Sequence, residues 1–259
     1  MGIYQLTDRI IDPTRYPWGF HQFWTPGFIT TALWLDAADS STITLDGSSN
    51  VEQWDDKSGN DRHAVQLTTV NRPGLSANGL PDFNGVDQFM LIAHDAALNI
   101  GASEDFSLYV VHSPRSRANR TVFAKGGVQS SDLTLYYWEG DIRIRYSGTS
   151  FDRQFAANNG DTIAGLTRLS GSAMRLWNTN PLNSSTGASS VAINNLKDVS
   201  IGAFDEGVDR RFDGIIHEII FTKAGASQAN NDKIEGYLAY KWGLVANLPS
   251  DHPYKNVAP

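Results

Sequence analysis

Leu133-Thr134-Leu135-Tyr136-Tyr137-Trp138, Glu139-Gly140-Asp141 and Ile142-Arg143-Ile144-Arg145-Tyr146, taken together, decide the fold class. The two flanks read as strands with a two-residue period, and the central triplet reads as a hairpin turn. Alternation puts Tyr136 and Trp138 on one face and Tyr137 on the other. Arg143 and Arg145 share a face and, across the hairpin, can flank an aromatic ring.

Similar strands lie on both sides of this hairpin. They are Ala32-Leu33-Trp34-Leu35-Asp36, Val51-Glu52-Gln53-Trp54, Asp105 to His112, Met174-Arg175-Leu176-Trp177, Val199-Ser200-Ile201-Gly202 and Ile215 to Phe221. Gly, Asn, Ser and Asp fill the gaps. Many short strands with turn signals between them predict a sandwich or barrel. One helix is expected near the end. Ser227 is its N-cap, Ile234, Tyr237, Leu238, Lys241 and Trp242 share a face, and Gly243 stops it.

With 259 residues, the chain suits one large all-β domain. Its 41% hydrophobic content fills a sizeable core, and 7 Trp, 9 Tyr and 12 Phe supply rings for core or binding surfaces. A net charge of −7 argues against general binding of nucleic acid or anionic membrane. The absence of cysteine removes disulfides, thiolate metal sites and a cysteine nucleophile. No basic segment followed by an apolar run opens the chain, and no apolar stretch approaches the roughly 18 residues of a membrane span. The expectation is a soluble protein assembled in a cytoplasm, without membrane insertion.

Residues 1–28 differ from the rest. Pro13, Pro17 and Pro26 exclude a helix, and Tyr16, Trp18, Phe20, Phe23 and Trp24 lie among them. Two readings stand: an arm folded back on its own domain, or a docking arm that buries its rings in a neighbouring subunit. Residues 29–259 form the sandwich domain.

Several stretches in order carry a family resemblance: Leu33-Trp34-Leu35-Asp36-Ala37-Ala38-Asp39, Val51 to Asn60, Arg72-Pro73, Gly79-Leu80-Pro81 and Phe83-Asn84-Gly85-Val86-Asp87. Phe212 to Ile220, Ile234 to Leu244, Leu248-Pro249 and His252-Pro253-Tyr254 complete it. The chain resembles the laminin-G-like branch of the concanavalin A-like lectin/glucanase superfamily, in the form found in bacteriophage and marine bacterial proteins. The resemblance implies an all-β jelly-roll sandwich whose C-terminal helix covers one end. It also implies roles in sugar binding, adhesion or virion decoration. Joined to the N-terminal arm, it implies a virion structural protein (head decoration, head fibre or tail component) that the arm anchors to other virion proteins. By analogy with phage appendages, a homotrimer is implied.

Asp55, Asp56, Ser58 and Asn60 concentrate oxygen ligands in a glycine-containing loop, the composition a structural Ca²⁺ requires. The competing reading is a turn in which Asp and Asn bond the backbone and Gly59 takes a positive φ. No cofactor is otherwise required. Asp205, Glu206 and Asp209 read as a solvated loop.

Catalysis by the glucanase relatives needs paired carboxylates on one strand, and no Glu-x-Asp-x-x-Glu pattern occurs. Glu218 reads as hydrogen-bonded scaffolding, flanked on its face by Ile216 and Ile220. The six histidines are dispersed without zinc-site spacing, and no Gly-x-Ser-x-Gly elbow is present. The expectation is therefore a non-enzyme. Tyr136, Trp138, Arg143, Arg145 and Tyr146 are the candidates for sugar binding, with host-surface glycans as the ligand. Three function classes follow: a virion structural protein, a carbohydrate-binding adhesin with or without calcium, and a glycoside hydrolase or lyase.

Overall fold

The computed structural model describes residues 23–127, 132–147, 151–157, 159–179 and 182–259. In chain order the strands are β1 (Thr31–Asp36), β2 (Ile43–Leu45), β3 (Val51–Trp54), β4 (Ala64–Val65), β5 (Gly74–Leu75), β6 (Pro81–Asn84), β7 (Met90–Ile92), β8 (Phe106–Pro114) and β9 (Arg120–Lys125). They continue with β10 (Leu133–Trp138), β11 (Asp141–Tyr146), β12 (Phe151–Ala156), β13 (Thr162–Leu169), β14 (Ala173–Thr179), β15 (Leu182–Ala188), β16 (Val199–Ile201) and β17 (Asp213–Thr222). The α-helix among the described residues is α1 (Gln228–Lys241).

Two antiparallel sheets form a sandwich. The first runs β15-β14-β13-β8-β17-β6-β5, with β1 beside β17, and the second runs β12-β11-β10-β9-β16-β7-β4-β3-β2. The β10–β11 hairpin turns on Glu139 and Gly140, whose φ values of 51° and 94° are those of a two-residue I′ turn. Inward-facing Leu108, Val110, Leu135, Tyr137, Ile142, Ile144, Leu166 and Ile219 belong to one core between the sheets. Each such side chain contributes about 1.5–3 kcal/mol by leaving water.

α1 lies on the outer face of the first sheet rather than covering one end of the sandwich. A second apolar cluster forms there from Trp34, Tyr109, Val111, Ile163, Trp177 and Ile220 of the strands and Ile234, Tyr237 and Leu238 of the helix. Ser227 caps the helix by accepting from the Asn230 N–H at 3.2 Å, and Gly243 follows it with φ +73°. Polar pins supplement the apolar contact: Ser107 Oγ donates to Asn231 Oδ1 at 2.6 Å, and Tyr109 OH donates to Glu235 Oε1 at 2.8 Å.

A bulge on β17 breaks the strict alternation expected of Ile215 to Phe221. The register against β8 shifts between Ile216 and Glu218. Ile216 therefore faces the inter-sheet core, whereas Ile220 faces the helix-side cluster together with Glu218. Ile216 and Glu218 do not share a face, contrary to the period-two reading.

Candidate functional site

Four of the sequence stretches that carry the resemblance, those holding Trp34, Lys57, Glu218 and Trp242, meet under α1. Glu218, fully buried, accepts on Oε1 from Trp34 Nε1 at 2.8 Å and from Tyr237 OH at 3.0 Å. On Oε2 it accepts from Trp242 Nε1 at 2.7 Å and pairs with Lys241 Nζ at 2.8 Å. Lys241 also binds Asp36, which pairs at 3.0 Å with Lys57. Burial pushes the Glu218 carboxyl up, and Lys241 opposes that rise. Every lone pair is engaged, so this carboxylate holds the helix to the sheet and has none left for general acid–base work.

The loop after β3 feeds the same network. Asp56 Oδ1 accepts from the N–H groups of Trp34 and Ser58, each at 2.9 Å, and Oδ2 accepts from Ser58 Oγ at 2.7 Å and Arg62 N at 3.2 Å. Asn60 Nδ2 donates to Thr31 O at 3.0 Å and to Ser58 Oγ at 2.7 Å. Asp55 instead accepts from Gln53 Nε2 at 2.7 Å, and Gly59 takes φ +82°. The loop thus brings Asp56, Ser58 and Asn60 together through hydrogen bonds of their own, with Asp55 turned to Gln53.

The hairpin residues divide by parity. Tyr146 shares its parity with Ile142 and Ile144 and faces the core, where it is fully buried and stacks on Phe106 at 5.6 Å. Its hydroxyl donates to Val191 O at 2.7 Å and accepts from Arg168 Nη1 at 2.9 Å, and burial pushes the phenol up to about 12. Tyr146 is therefore a core residue and not part of an outward sugar-binding surface. Tyr136, Arg143 and Arg145 do share the outer face of the second sheet, as expected. The guanidinium groups of Arg143, Arg145 and Arg210 lie 5.6, 5.9 and 5.9 Å from the centre of the Tyr136 ring. Tyr136 is only 4% exposed beneath them, whereas Trp138, one period along the strand, is 37% exposed.

Arg210 was not singled out from the sequence. It arrives on the loop between β16 and β17, where Asp205, Glu206 and Arg210 all adopt left-handed φ values of 46°, 55° and 55°. That loop lays Phe204 beside Arg210 at 4.5 Å and Arg145 at 5.5 Å. Its acidic residues are not simply solvated, because Lys197 Nζ pairs with Asp205 at 3.1 Å and Glu206 at 2.9 Å. Asp132, fully buried, accepts from Arg145 Nε at 2.9 Å and fixes that guanidinium.

A Ser–His–Asp grouping that no local motif signals is also present. Ser113 Oγ lies 3.1 Å from His217 Nε2 and bonds Asp161, while Asp161 lies 3.6 Å from the same His217 nitrogen. A relay needs the carboxylate on the other nitrogen. His217 Nδ1 is buried and has no hydrogen-bond partner among the described residues, and burial lowers the ring's pKa. The grouping lacks the geometry that activates a serine.

Of the arm rings, Tyr16, Trp18 and Phe20 lie outside the described residues. Phe23 is 37% exposed, and Trp24 packs edge-on against Tyr237 at 6.1 Å. At least the end of the arm therefore folds back onto its own domain.

No protein-family model matches the chain, and no curated protein matches it. Solved structures do. The botulinum neurotoxin serotype D binding domain superposes with a TM-score of 0.55 at 13% identity, covering 83% of this chain and 51% of that one. The binding domain of Paraclostridial Mosquitocidal Protein 1 gives 0.55 at 10% identity, covering 78% and 50%. A serotype D ligand-binding domain in complex with N-acetylneuraminic acid gives 0.54 at 12% identity, covering 83% and 51%. The chain spans about half the length of these structures. At such identities the likeness establishes a shared β-sandwich fold.

Proposed function

We propose that the chain is a non-catalytic glycan-binding module whose platform is the outer face of the second sheet. The observation that carries this reading is the contrast between the two outer faces. α1 and a closed polar network occupy the first, whereas the second presents exposed Trp138 beside a layer of arginines held over Tyr136 and Phe204. An exposed indole offers a flat apolar surface to a sugar ring, and ordered guanidinium groups offer donors to its hydroxyl or carboxylate oxygens. The saturated Glu218 and the misdirected Ser113–His217–Asp161 grouping support binding without hydrolysis. The structural neighbours are themselves binding domains, which agrees with this reading and favours it over a virion structural role.

A glycan array probed with the full chain, with and without EDTA, tests the proposal. Selective binding is expected, and Trp138→Ala or Arg143→Ala weakens it about tenfold, equivalent to roughly 1.4 kcal/mol. Binding that EDTA abolishes and Ca²⁺ restores, and that Asp56→Ala also abolishes, would assign an ion to the Asp55–Asn60 loop. Absence of binding under both conditions overturns the module reading.

A further inference from the structure

We propose that Arg210 selects for an acidic group on the bound glycan, so that the second sheet takes a saccharide bearing a carboxylate or a sulfate. This inference rests on the reading of that face as a sugar platform and adds what the sugar must carry.

Three guanidinium groups crowd one ring. Those of Arg143, Arg145 and Arg210 lie 5.6, 5.9 and 5.9 Å from the centre of Tyr136. Arg145 is answered inside the protein, where the fully buried Asp132 accepts from its Nε at 2.9 Å. Arg210 is not answered in this way. Asp209, itself 65% exposed, stands 3.7 Å from Arg210 Nε, outside hydrogen-bond reach. Asp141 lies on the same face but opposite Trp138, whereas Arg143 is opposite Tyr136.

The Arg210 side chain is 21% exposed, and its Nε is the enclosed atom, so solvent meets the guanidinium group along its Nη edge. The group rests 4.5 Å from the Phe204 ring, which fixes its plane. A planar fork held in this manner matches the two oxygens of a carboxylate or sulfate. Like charges gathered over one ring also repel, and an oxyanion among them offsets that repulsion where a hydroxyl does not.

The backbone of Arg210 is strained. Its φ is 55°, and Asp205 and Glu206 on the same loop take 46° and 55°, a region that L side chains enter at a cost. Bonds at both ends hold the loop there. Thr121 N donates to Arg210 O at 2.7 Å, Phe204 N to Asp209 O at 2.9 Å, and Glu206 N to Ser200 Oγ at 2.9 Å. Glycine adopts such a φ freely, yet this position carries a charged side chain over aromatic rings. Trp138 stands about 7 Å from Tyr136 along the strand. An acidic substituent on a sugar stacked on Trp138, or on the next sugar of the chain, therefore comes within reach of Arg210.

The test compares, on the full chain, neutral oligosaccharides with their uronate-containing and sulfated counterparts. Affinity is read from the Trp138 indole signal in NMR titrations. Acidic members are expected to bind about tenfold tighter than their neutral parents, with the advantage shrinking as salt is raised. Arg210→Gln should lower the acidic-to-neutral affinity ratio about tenfold, and Arg210→Lys should keep part of it. Arg210→Gly separates recognition from scaffolding: the preference should be lost while Tm stays within about 4 °C. Preference for the carboxylated or for the sulfated members alone supports the inference and assigns the acidic group. Equal affinity for acidic and neutral members, or a preference that survives Arg210→Gln and Arg210→Gly, overturns it and leaves the module reading intact. If no glycan of either kind shifts the Trp138 signal, the module reading falls and this inference with it.

Discussion

The outer faces of the two sheets differ in what covers them. On the first, Glu218, Asp36, Lys241, Lys57 and the Trp34 and Trp242 indoles form a closed circuit beneath α1. On the second, Arg143, Arg145 and Arg210 lie over Tyr136 at the surface, and Trp138 meets solvent. Both faces carry tryptophan and charge, so composition does not distinguish scaffold from site. What distinguishes them is whether a helix lies on top, as α1 does on the first sheet, or an aromatic ring meets solvent, as Trp138 does on the second.

The largest effect is expected where the circuit is cut. Glu218→Leu leaves Lys241 and two indole N–H groups without their shared acceptor, and breaking a buried pair in this way costs about 3–5 kcal/mol. Urea unfolding measures it, and a loss under 1 kcal/mol would mean that the circuit contributes little to stability.

Acid probes the interior between the faces. His112, fully buried, shares a hydrogen bond of 2.8 Å with Tyr137 OH, and burial lowers its pKa to about 3 from 6.5. The unfolded ring takes its proton near 6.5 and the folded ring near 3, so falling pH favours unfolding within that window. Stability from this group is complete above about pH 6.5 and declines towards pH 3, by up to about 1.4 kcal/mol per pH unit. His112→Phe should flatten the acid limb of a plot of Tm against pH; an unchanged limb assigns acid sensitivity to other groups.

The smallest effect concerns the helix that separates the faces. Ser227→Ala removes the N-cap acceptor of Asn230 N–H and should lower stability by about 1 kcal/mol. Glycan binding at the second sheet should be unaffected, since α1 lies across the sandwich from it. Coupled losses of stability and binding would show that the two faces do not act independently.

Much of the scaffold was legible in the sequence. The β10–β11 hairpin showed itself because Ile142, Ile144 and Tyr146 alternate with Arg143 and Arg145 and Gly140 supplies the turn. α1 showed itself through Ser227, Gly243 and the shared face of Ile234, Tyr237, Leu238, Lys241 and Trp242. The two-residue strands β4 and β5 carry no period to read. The β17 bulge was hidden because Ile-Ile-His-Glu-Ile-Ile contains no turn residue, and only pairing with β8 reveals it. The site was less legible. Alternation already turned Tyr146 inward, a signal that its aromatic character overshadowed. Arg210 reaches Tyr136 only through a loop in left-handed conformations. Such an encounter depends on tertiary packing and leaves no local pattern.

Sugar is expected on the open face of the second sheet and not at the Trp34–Glu218–Trp242 circuit beneath α1. A chemical-shift map of the full chain, recorded with a glycan selected from the array, tests it most directly. Perturbations are expected at Trp138, Arg143 and Arg210, with the indole signals of Trp34 and Trp242 unchanged. Perturbations confined to the Trp34–Glu218–Trp242 circuit, with Trp138 silent, would contradict it.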